Sequence, residues 1–311
     1  MENADFETPS EQAAFALRRL FSRYGYKRYR VNKFEEYGIY LEYKNFLPQS
    51  PIITFTDLGG RLLAMKPDVT LSIAKNAPVD LKNPAKLFYT ENVYRVPHGS
   101  REFREIAQVG LECIGNVDVY SQCETVLLAC KSLETLSERY VLTLSHMGFV
   151  SGLLSWCSLP AALEEQALRY IEHKNAHELA RLCQGAGLSR EKCEALGSLS
   201  KLSGPIAETL ESARQLVRND AMCAAIDELQ SLCDALGGAV LKECLTLDFS
   251  VINDLSYYNG LIFQGYVPDI PRAVLSGGRY DKLMEKLGKK AQAIGFAVYV
   301  NELENREGAG L

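Results

Sequence analysis

The segments LFYTENVYRV (87–96), PHGSREFRE (97–105) and IAQVGLECIG (106–115) decide how this chain is read. Two apolar-rich segments flank a basic, polar loop, which is the pattern of strand, loop, strand. In the second segment Val109, Leu111 and Cys113 share one face, and Gln108, Gly110 and Glu112 share the other. A strand carrying Gln, Gly and Glu on its non-core face can floor a polar ligand pocket. Gly110 would let a group approach the backbone closely. Arg95 ends the first strand as a fixed positive charge. The same residues also fit a half-exposed hairpin with ordinary solvent-facing polar groups.

On the N-terminal side, Ala14, Leu17, Phe21 and Tyr24 recur at helix spacing. Ser10 is placed to cap that helix and Gly25 to end it. Residues 26–31 read as a strand, and 52–57 and 61–65 read as a β-hairpin about Gly59-Gly60. Pro67 suits the first turn of a helix continuing through 71–74. Beyond the quoted stretch, 118–136 is a long amphipathic helix and 141–145 a short strand. Composition shifts near residue 150. From 161 to 236 the chain is rich in Ala, Leu, Glu and Gln. Breaks at Gly185, Gly187, Gly204-Pro205 and Asn219-Asp220 predict four short helices. Strand signals return at 244–251 and 257–267, Gly277-Gly278 leads into a helix over 280–287, and 293–303 fits a strand or a helix. Strands outside this insert and helices within it argue an α+β fold with a mostly antiparallel sheet. The expected organisation is a core of 1–150 and 240–311 around a helical insertion at 151–239.

The chain has 311 residues, 47% of them hydrophobic, enough for a substantial core. A net charge of −5 and a pI near 5.6 disfavour a nucleic-acid partner. Nine cysteines without a CxxC pair fit reduced thiols rather than a disulfide framework. The first 25 residues are too charged for a signal peptide, and no apolar run approaches membrane-spanning length. A soluble, cytoplasmic protein without a membrane partner is expected. His173 and His177 have i, i+4 spacing on one expected helix, yet no third ligand accompanies them, so they read as a solvated face and no metal site is expected. Cys183, Cys193, Cys223 and Cys233 read as small buried apolar residues.

Four segments place polar groups in apolar settings: Asp68/Thr70, Arg95 with Gln108 and Glu112, Tyr257-Tyr258-Asn259, and Gly277-Gly278-Arg279-Tyr280-Asp281. Carboxylates accept from an ammonium, Arg and Gln donate to a carboxylate, and Tyr hydroxyls orient a polar side chain, a set suited to a zwitterion such as an amino acid. Simpler readings remain for each. Asp68 can stabilise a helix N-terminus, Tyr257-Tyr258 can be strand core, Gly277-Gly278 can be a turn, and Arg101, Glu102, Arg104 and Glu105 can be an exposed loop.

Five stretches in order resemble the catalytic core of histidyl-tRNA synthetase, a class II synthetase. MKPDVT (65–70) resembles that family's Arg-Pro-Glu-Gly-Thr segment, and 94–115 its motif 2. DLSYYNGLIF (254–263) resembles its Leu-Asp-Tyr-Tyr segment, LSGGRYDKL (275–283) its Gly-Gly-Arg-Tyr-Asp signature, and AIGFAVYVNEL (293–303) its motif 3. The resemblance implies a class II synthetase-like core with a mostly antiparallel sheet. It also implies a histidine-like pocket of Asp68, Thr70, Arg95, Gln108, Glu112, Tyr258, Arg279 and Tyr280.

The departures carry the functional expectation. The family's motif 3 arginine maps to Glu302, a nearby glycine to Tyr299, the catalytic arginine ahead of Leu-Asp-Tyr-Tyr to Asn253, and the motif 2 glutamate after Arg95 has no counterpart at Val96-Pro97. A unit charge pair at about 4 Å is worth roughly 4 kcal/mol at an effective dielectric near 20, so reversing a phosphate grip swings binding by roughly twice that. Losing a cation at Asn253 removes transition-state stabilisation as well. The adenylation machinery therefore reads as broken, with Asn253 and Glu302 as lost catalytic positions, while the amino-acid side is largely kept. Those synthetases continue into a C-terminal anticodon-binding domain. Here the sequence ends at Leu311, so neither that domain nor tRNA charging is expected.

A core-only, adenylation-defective relative resembles the regulatory subunits of ATP phosphoribosyltransferase (HisZ). That resemblance implies a non-enzymatic, activating partner of the short-form catalytic subunit (HisG) in the first step of histidine biosynthesis. It further implies a homodimer within a hetero-oligomer, histidine as effector and no cofactor. The rival readings are a freestanding amino-acid ligase or protein acylase, for which Arg95 is the best support, and a histidine-binding regulator of another protein.

Overall fold

The computed structural model describes residues 7–47, 51–96, 101–237, 244–252 and 257–305. Helix α1 (Pro9–Arg23) begins with a capping box. The Thr8 hydroxyl accepts from the Glu11 amide at 3.3 Å, and the Thr8 amide donates to the Glu11 carboxylate at 2.9 Å. Ser10 is not the cap, because Pro9 already takes the first helical position. Gly25 follows the helix end at φ +83°, a conformation open to glycine. Strand β1 (Lys27–Arg28) is shorter than the expected 26–31. Tyr29 still donates to the Phe88 carbonyl at 2.7 Å, but the Val31 amide turns to the Glu91 side chain.

A small sheet follows, built from β2 (Phe34–Glu36), then α2 (Tyr37–Glu42), β3 (Thr54–Thr56) and β4 (Leu62–Met65), in the order β2-β4-β3. Asp57 Oδ1 accepts from the Gly59 and Arg61 amides and closes the β3–β4 turn. Helix α3 (Thr70–Asn76) starts three residues after Pro67, not around it. The Asp68 carboxylate accepts the Leu71 amide at 2.8 Å, so the chain is capped downstream of the proline. The hairpin of the opening stretch is β5 (Ala85–Arg95) and β6 (Arg104–Gly115), paired antiparallel with Tyr89 opposite Gly110 and Leu87 opposite Glu112. Arg104 and Glu105 therefore belong to the ladder rather than to a loop, and all four of Arg101, Glu102, Arg104 and Glu105 are exposed.

Asp118 caps α4 (Val119–Leu136), and β7 (Val141–His146) leads into α5 (Met147–Cys157). Between 161 and 236 five helices form, not four: α6 (Ala161–Glu172), α7 (Ala176–Gly185), α8 (Arg190–Leu199), then after strand β8 (Ser203–Pro205), α9 (Ile206–Gln215) and α10 (Asp220–Leu236). The extra break is at Lys174, with φ +51°, and Asn175, whose side chain accepts from the Glu178 amide. It also separates His173, at the end of α6, from His177 on α7, so the two do not share a helix. Cys183 is buried and Cys193 and Cys233 are half-buried, but Cys223 is exposed, contrary to its expected burial. The chain finishes with β9 (Leu245–Asp248), β10 (Leu261–Tyr266), β11 (Leu275–Arg279), α11 (Asp281–Lys286) and β12 (Gln292–Tyr299), then a 3-10 helix at Val300–Asn305. Thus 293–303 is mostly strand. Gly277 and Gly278 lie inside β11 rather than in a turn, where strand packing leaves no room for a Cβ.

The main sheet has nine strands in the order β1-β5-β6-β12-β11-β10-β7-β9-β8. All neighbours are antiparallel except β1/β5 and β7/β9. One face carries Leu111, Phe263 and Phe296 into a core closed by α1, α4, α5 and α10 through Phe21, Leu133, Phe149 and Ile226. The helical segment shares this core through Ile171, Leu179, Leu196 and Leu210, and supplies the sheet's last strand, β8. Alternation sends the next residues to the opposite face. There Tyr89, Tyr257 and Tyr280 pack with Tyr40, Leu71, Ile73 and Leu283 from α2, α3 and α11. A polar pocket opens among these tyrosines.

Candidate functional site

The pocket has a volume of about 420 Å³. Its floor is the non-core face of β6 and β12. In register, Glu112 stands opposite Gly295, Gly110 opposite Ala297 and Gln108 opposite Tyr299. A Cβ on Gly295 would overlap the Glu112 carboxylate, so that side chain lies across bare backbone. Gly110 also meets close approach, but from the Tyr89 ring of the neighbouring strand rather than from an open space. Asp68 and Thr70 enter from the start of α3, Arg95 from the end of β5, Tyr258 from the chain before β10, and Tyr280 from the β11–α11 junction.

Glu112 is the centre of this arrangement. It is 1% exposed and accepts from the Thr70 hydroxyl at 2.8 Å and from the Tyr280 hydroxyl at 2.6 Å. Burial pushes its carboxyl up to about 8. The two hydroxyl bonds pull the other way without compensating, and the nearby Asp68 adds to the rise. Asp68 is raised as well, because burial outweighs the attraction of Arg95 and the Leu71 amide bond. The phenols of Tyr89, Tyr257, Tyr258, Tyr280 and Tyr299 are all held above their ordinary value, chiefly by burial, and remain donors at neutral pH. Arg95 Nε is buried without a hydrogen-bond partner. Among the described lining residues Arg95 is the one cation, facing two carboxyl groups. An ammonium seated at Glu112 and Asp68 would supply the countercharge that lets Glu112 ionise. A carboxylate at Arg95 and Gln108 would find donors, and the phenols would orient a polar side chain.

The structure thus brings Asp68, Thr70, Arg95, Gln108, Glu112, Tyr258 and Tyr280 to one cavity. Arg279 is a correction: it is absent from the described lining. On β11 Arg279 shares the face of Leu275 and points toward the helical layer. Its Nε donates to Asp281 at 2.8 Å and its guanidinium to Glu228 of α10 at 3.2 Å. Glu302 sits half-buried on the 3-10 helix after β12, outside the lining. Asn253 and Pro97 lie outside the described residues. Tyr89 and Gln264 were missed as lining residues. Gln264 is a polar residue inside an apolar strand, a visible signal, whereas Tyr89 becomes a wall only once the hairpin register is known. Tyr299 occupies the end of the pocket opposite Gln108, where its phenol is within electrostatic reach of Arg95.

The sequence model of the family described as histidyl-tRNA synthetase matches residues 6–303. An ATP phosphoribosyltransferase regulatory subunit from Bacillus thuringiensis (strain Al Hakam) is 28% identical over 298 residues, covering 94% of this chain and 71% of that protein. The crystal structure of an ATP phosphoribosyltransferase regulatory subunit/histidyl-tRNA synthetase from Bacillus halodurans C matches with a TM-score of 0.85 at 26% identity, over 97% of this chain and 84% of that one. A chain of the ATP phosphoribosyl transferase (HisG:HisZ) complex from Thermotoga maritima shares the fold, with a TM-score of 0.72 at 18% identity over 96% and 98% of the two chains. With a family match across nearly its whole length, this chain belongs to the histidyl-tRNA synthetase family.

Proposed function

We propose that the chain is the non-catalytic regulatory subunit of an ATP phosphoribosyltransferase, acting in the first step of histidine biosynthesis, and that its pocket binds free histidine. The regulatory subunits among its relatives support the assignment. One observation carries the binding reading: the described lining offers two carboxyl groups, a ring of phenols and a single cation, Arg95. That balance matches a zwitterion and opposes a nucleoside triphosphate, whose charge would need several cations. Activation of the catalytic subunit (HisG) would come from contacts made preferentially with its active conformation. Histidine binding would shift that equilibrium, and the coupling is reciprocal. A homodimer carrying catalytic subunits, with no tRNA partner and a cytoplasmic location, completes the proposal. Among the described residues no helix is long and apolar enough to cross a membrane.

The test is co-expression with a short-form catalytic subunit, followed by an assay of phosphoribosyl-ATP formation with each component omitted in turn. Activity should require both chains, and calorimetry should show histidine binding to this one. Full activity of the catalytic subunit alone would refute the assignment. The buried, unpartnered Nε of Arg95 favours a second reading, an amino-acid ligase. Pyrophosphate exchange dependent on both amino acid and ATP would support that instead.

A further inference from the structure

Behind the pocket, on the helical side of the sheet, lies a polar network that also takes in Gln122 beside Glu228 and Asn259 beside Asp281. Glu228 of α10 receives the Arg279 guanidinium at 3.2 Å on one oxygen and the His146 ring at 3.2 Å on the other. Arg279 Nε donates to Asp281 at 2.8 Å, and the other Asp281 oxygen accepts the Ala293 amide of β12 at 3.0 Å. Tyr280 is the residue between Arg279 and Asp281. Its backbone amide donates to the Ala293 carbonyl at 2.8 Å, and its hydroxyl reaches through to Glu112. The chain at 279–281 is therefore pinned on both sides of the one tyrosine that holds the central carboxyl of the pocket.

We infer that Glu228 is a positioning residue for the pocket: it fixes Arg279, and through the 279–281 backbone it sets where the Tyr280 hydroxyl meets Glu112. The inference rests on the reading of the pocket as an amino-acid site for its consequence, but its geometry stands without a ligand. It gives the helical segment a role, because α10 contributes Glu228 and packs against α4 and α5 rather than lining the cavity. A movement of α10 would be felt at Glu112 across the thickness of the sheet. Among the described residues, an alanine at 228 leaves the Arg279 guanidinium with Asp281 as its remaining hydrogen-bond partner. A glutamine keeps an acceptor for Arg279 in the same place.

The experiment compares Glu228→Ala and Glu228→Gln, each alone and combined with Tyr280→Phe, in the full chain. The Glu112 carboxyl is followed by carbon NMR titration without ligand, and histidine binding is followed by calorimetry. Glu228→Ala should raise the Glu112 midpoint, because its hydroxyl donor is misplaced. It should also weaken histidine binding by roughly five- to tenfold, the scale of one misaligned hydrogen bond. Glu228→Gln removes the same charge but should restore both readouts. In the Tyr280→Phe background Glu228→Ala should have no further effect. An unchanged Glu112 titration in Glu228→Ala overturns the inference. So does an equal shift in Glu228→Ala and Glu228→Gln, which would be charge alone, and so does additivity with Tyr280→Phe. If wild-type protein fails to bind histidine, the amino-acid reading falls, while the titration still decides the role of Glu228.

Discussion

Glu112→Gln removes a carboxyl that the fold holds protonated at neutral pH. The folded protein raises this group from 4.5 to about 8, mainly by burial. Because the folded value lies above the unfolded one, the folded state binds the proton more tightly. The contribution is complete below the unfolded value and is lost as pH rises through the folded one. Relative to a permanently neutral side chain, the carboxyl costs about 1 kcal/mol at pH 5, about 3 kcal/mol at pH 7 and about 4 kcal/mol at pH 8. The amide replaces the bonds to Thr70 and Tyr280 imperfectly, at a loss of about 1 kcal/mol. The variant should therefore match wild type near pH 5 and exceed it by about 2 kcal/mol at pH 7 and about 3 kcal/mol at pH 8. Urea unfolding of both proteins across this range measures the gap, provided the m-values agree. A gap that stays constant from pH 5 to 8 would refute the assignment of a raised titration to Glu112. The same variant should lose histidine binding, the trade expected where a site keeps a destabilised group for a ligand.

Histidine binding should release protons, because its ammonium favours the ionised form of Glu112. With a starting value of about 8, up to ~0.9 proton leaves per histidine at pH 7, read as a dependence of calorimetric heat on buffer ionisation enthalpy. Gly295→Ala should cost roughly 1–3 kcal/mol and abolish binding, since its Cβ would overlap the Glu112 carboxylate; thermal unfolding and calorimetry check both. Lys66 is 1% exposed and pairs with Glu91 at 2.6 Å. Glu91→Gln should lose roughly 3–5 kcal/mol in urea unfolding by stranding that cation, and the double change Lys66→Met with Glu91→Gln should recover most of it.

The faces of β6 were legible residue by residue, because strict alternation separates Gln108, Gly110 and Glu112 from Val109, Leu111 and Cys113, and nothing in the fold interrupts it. Arg279 was placed in the pocket by the family resemblance, not by alternation, and there the expectation failed. A charged residue beside a double glycine resembles a ligand grip, but its direction depends on the register of β11 against β12, and its partner Glu228 lies 51 residues earlier in the chain. Helix ends were read less well than helix existence. Thr8 displaced Ser10 as a cap by two residues, and the Lys174-Asn175 break carries neither glycine nor proline, the usual marks of a stop. Pro67 misled because Asp68 supplies its own cap three residues before the Leu71 amide. Tyr89 could not be assigned to the wall from local pattern, since only pairing sets it across from Gly110.

Lys289 spends all three of its ammonium hydrogens on the carbonyls of Ala74, Lys75 and Ala77, at 2.7, 2.7 and 2.9 Å. Those carbonyls close the far end of α3, a seven-residue helix too short to persist alone. The clamp arrives 215 residues after Ala74 in the order of synthesis. On the ribosome, the helix bearing Thr70 must wait for those residues to emerge before its last turn is tied down. A nascent or truncated product ending short of Lys289 would carry every residue of the β5–β6 hairpin and still lack the clamp on the far end of α3.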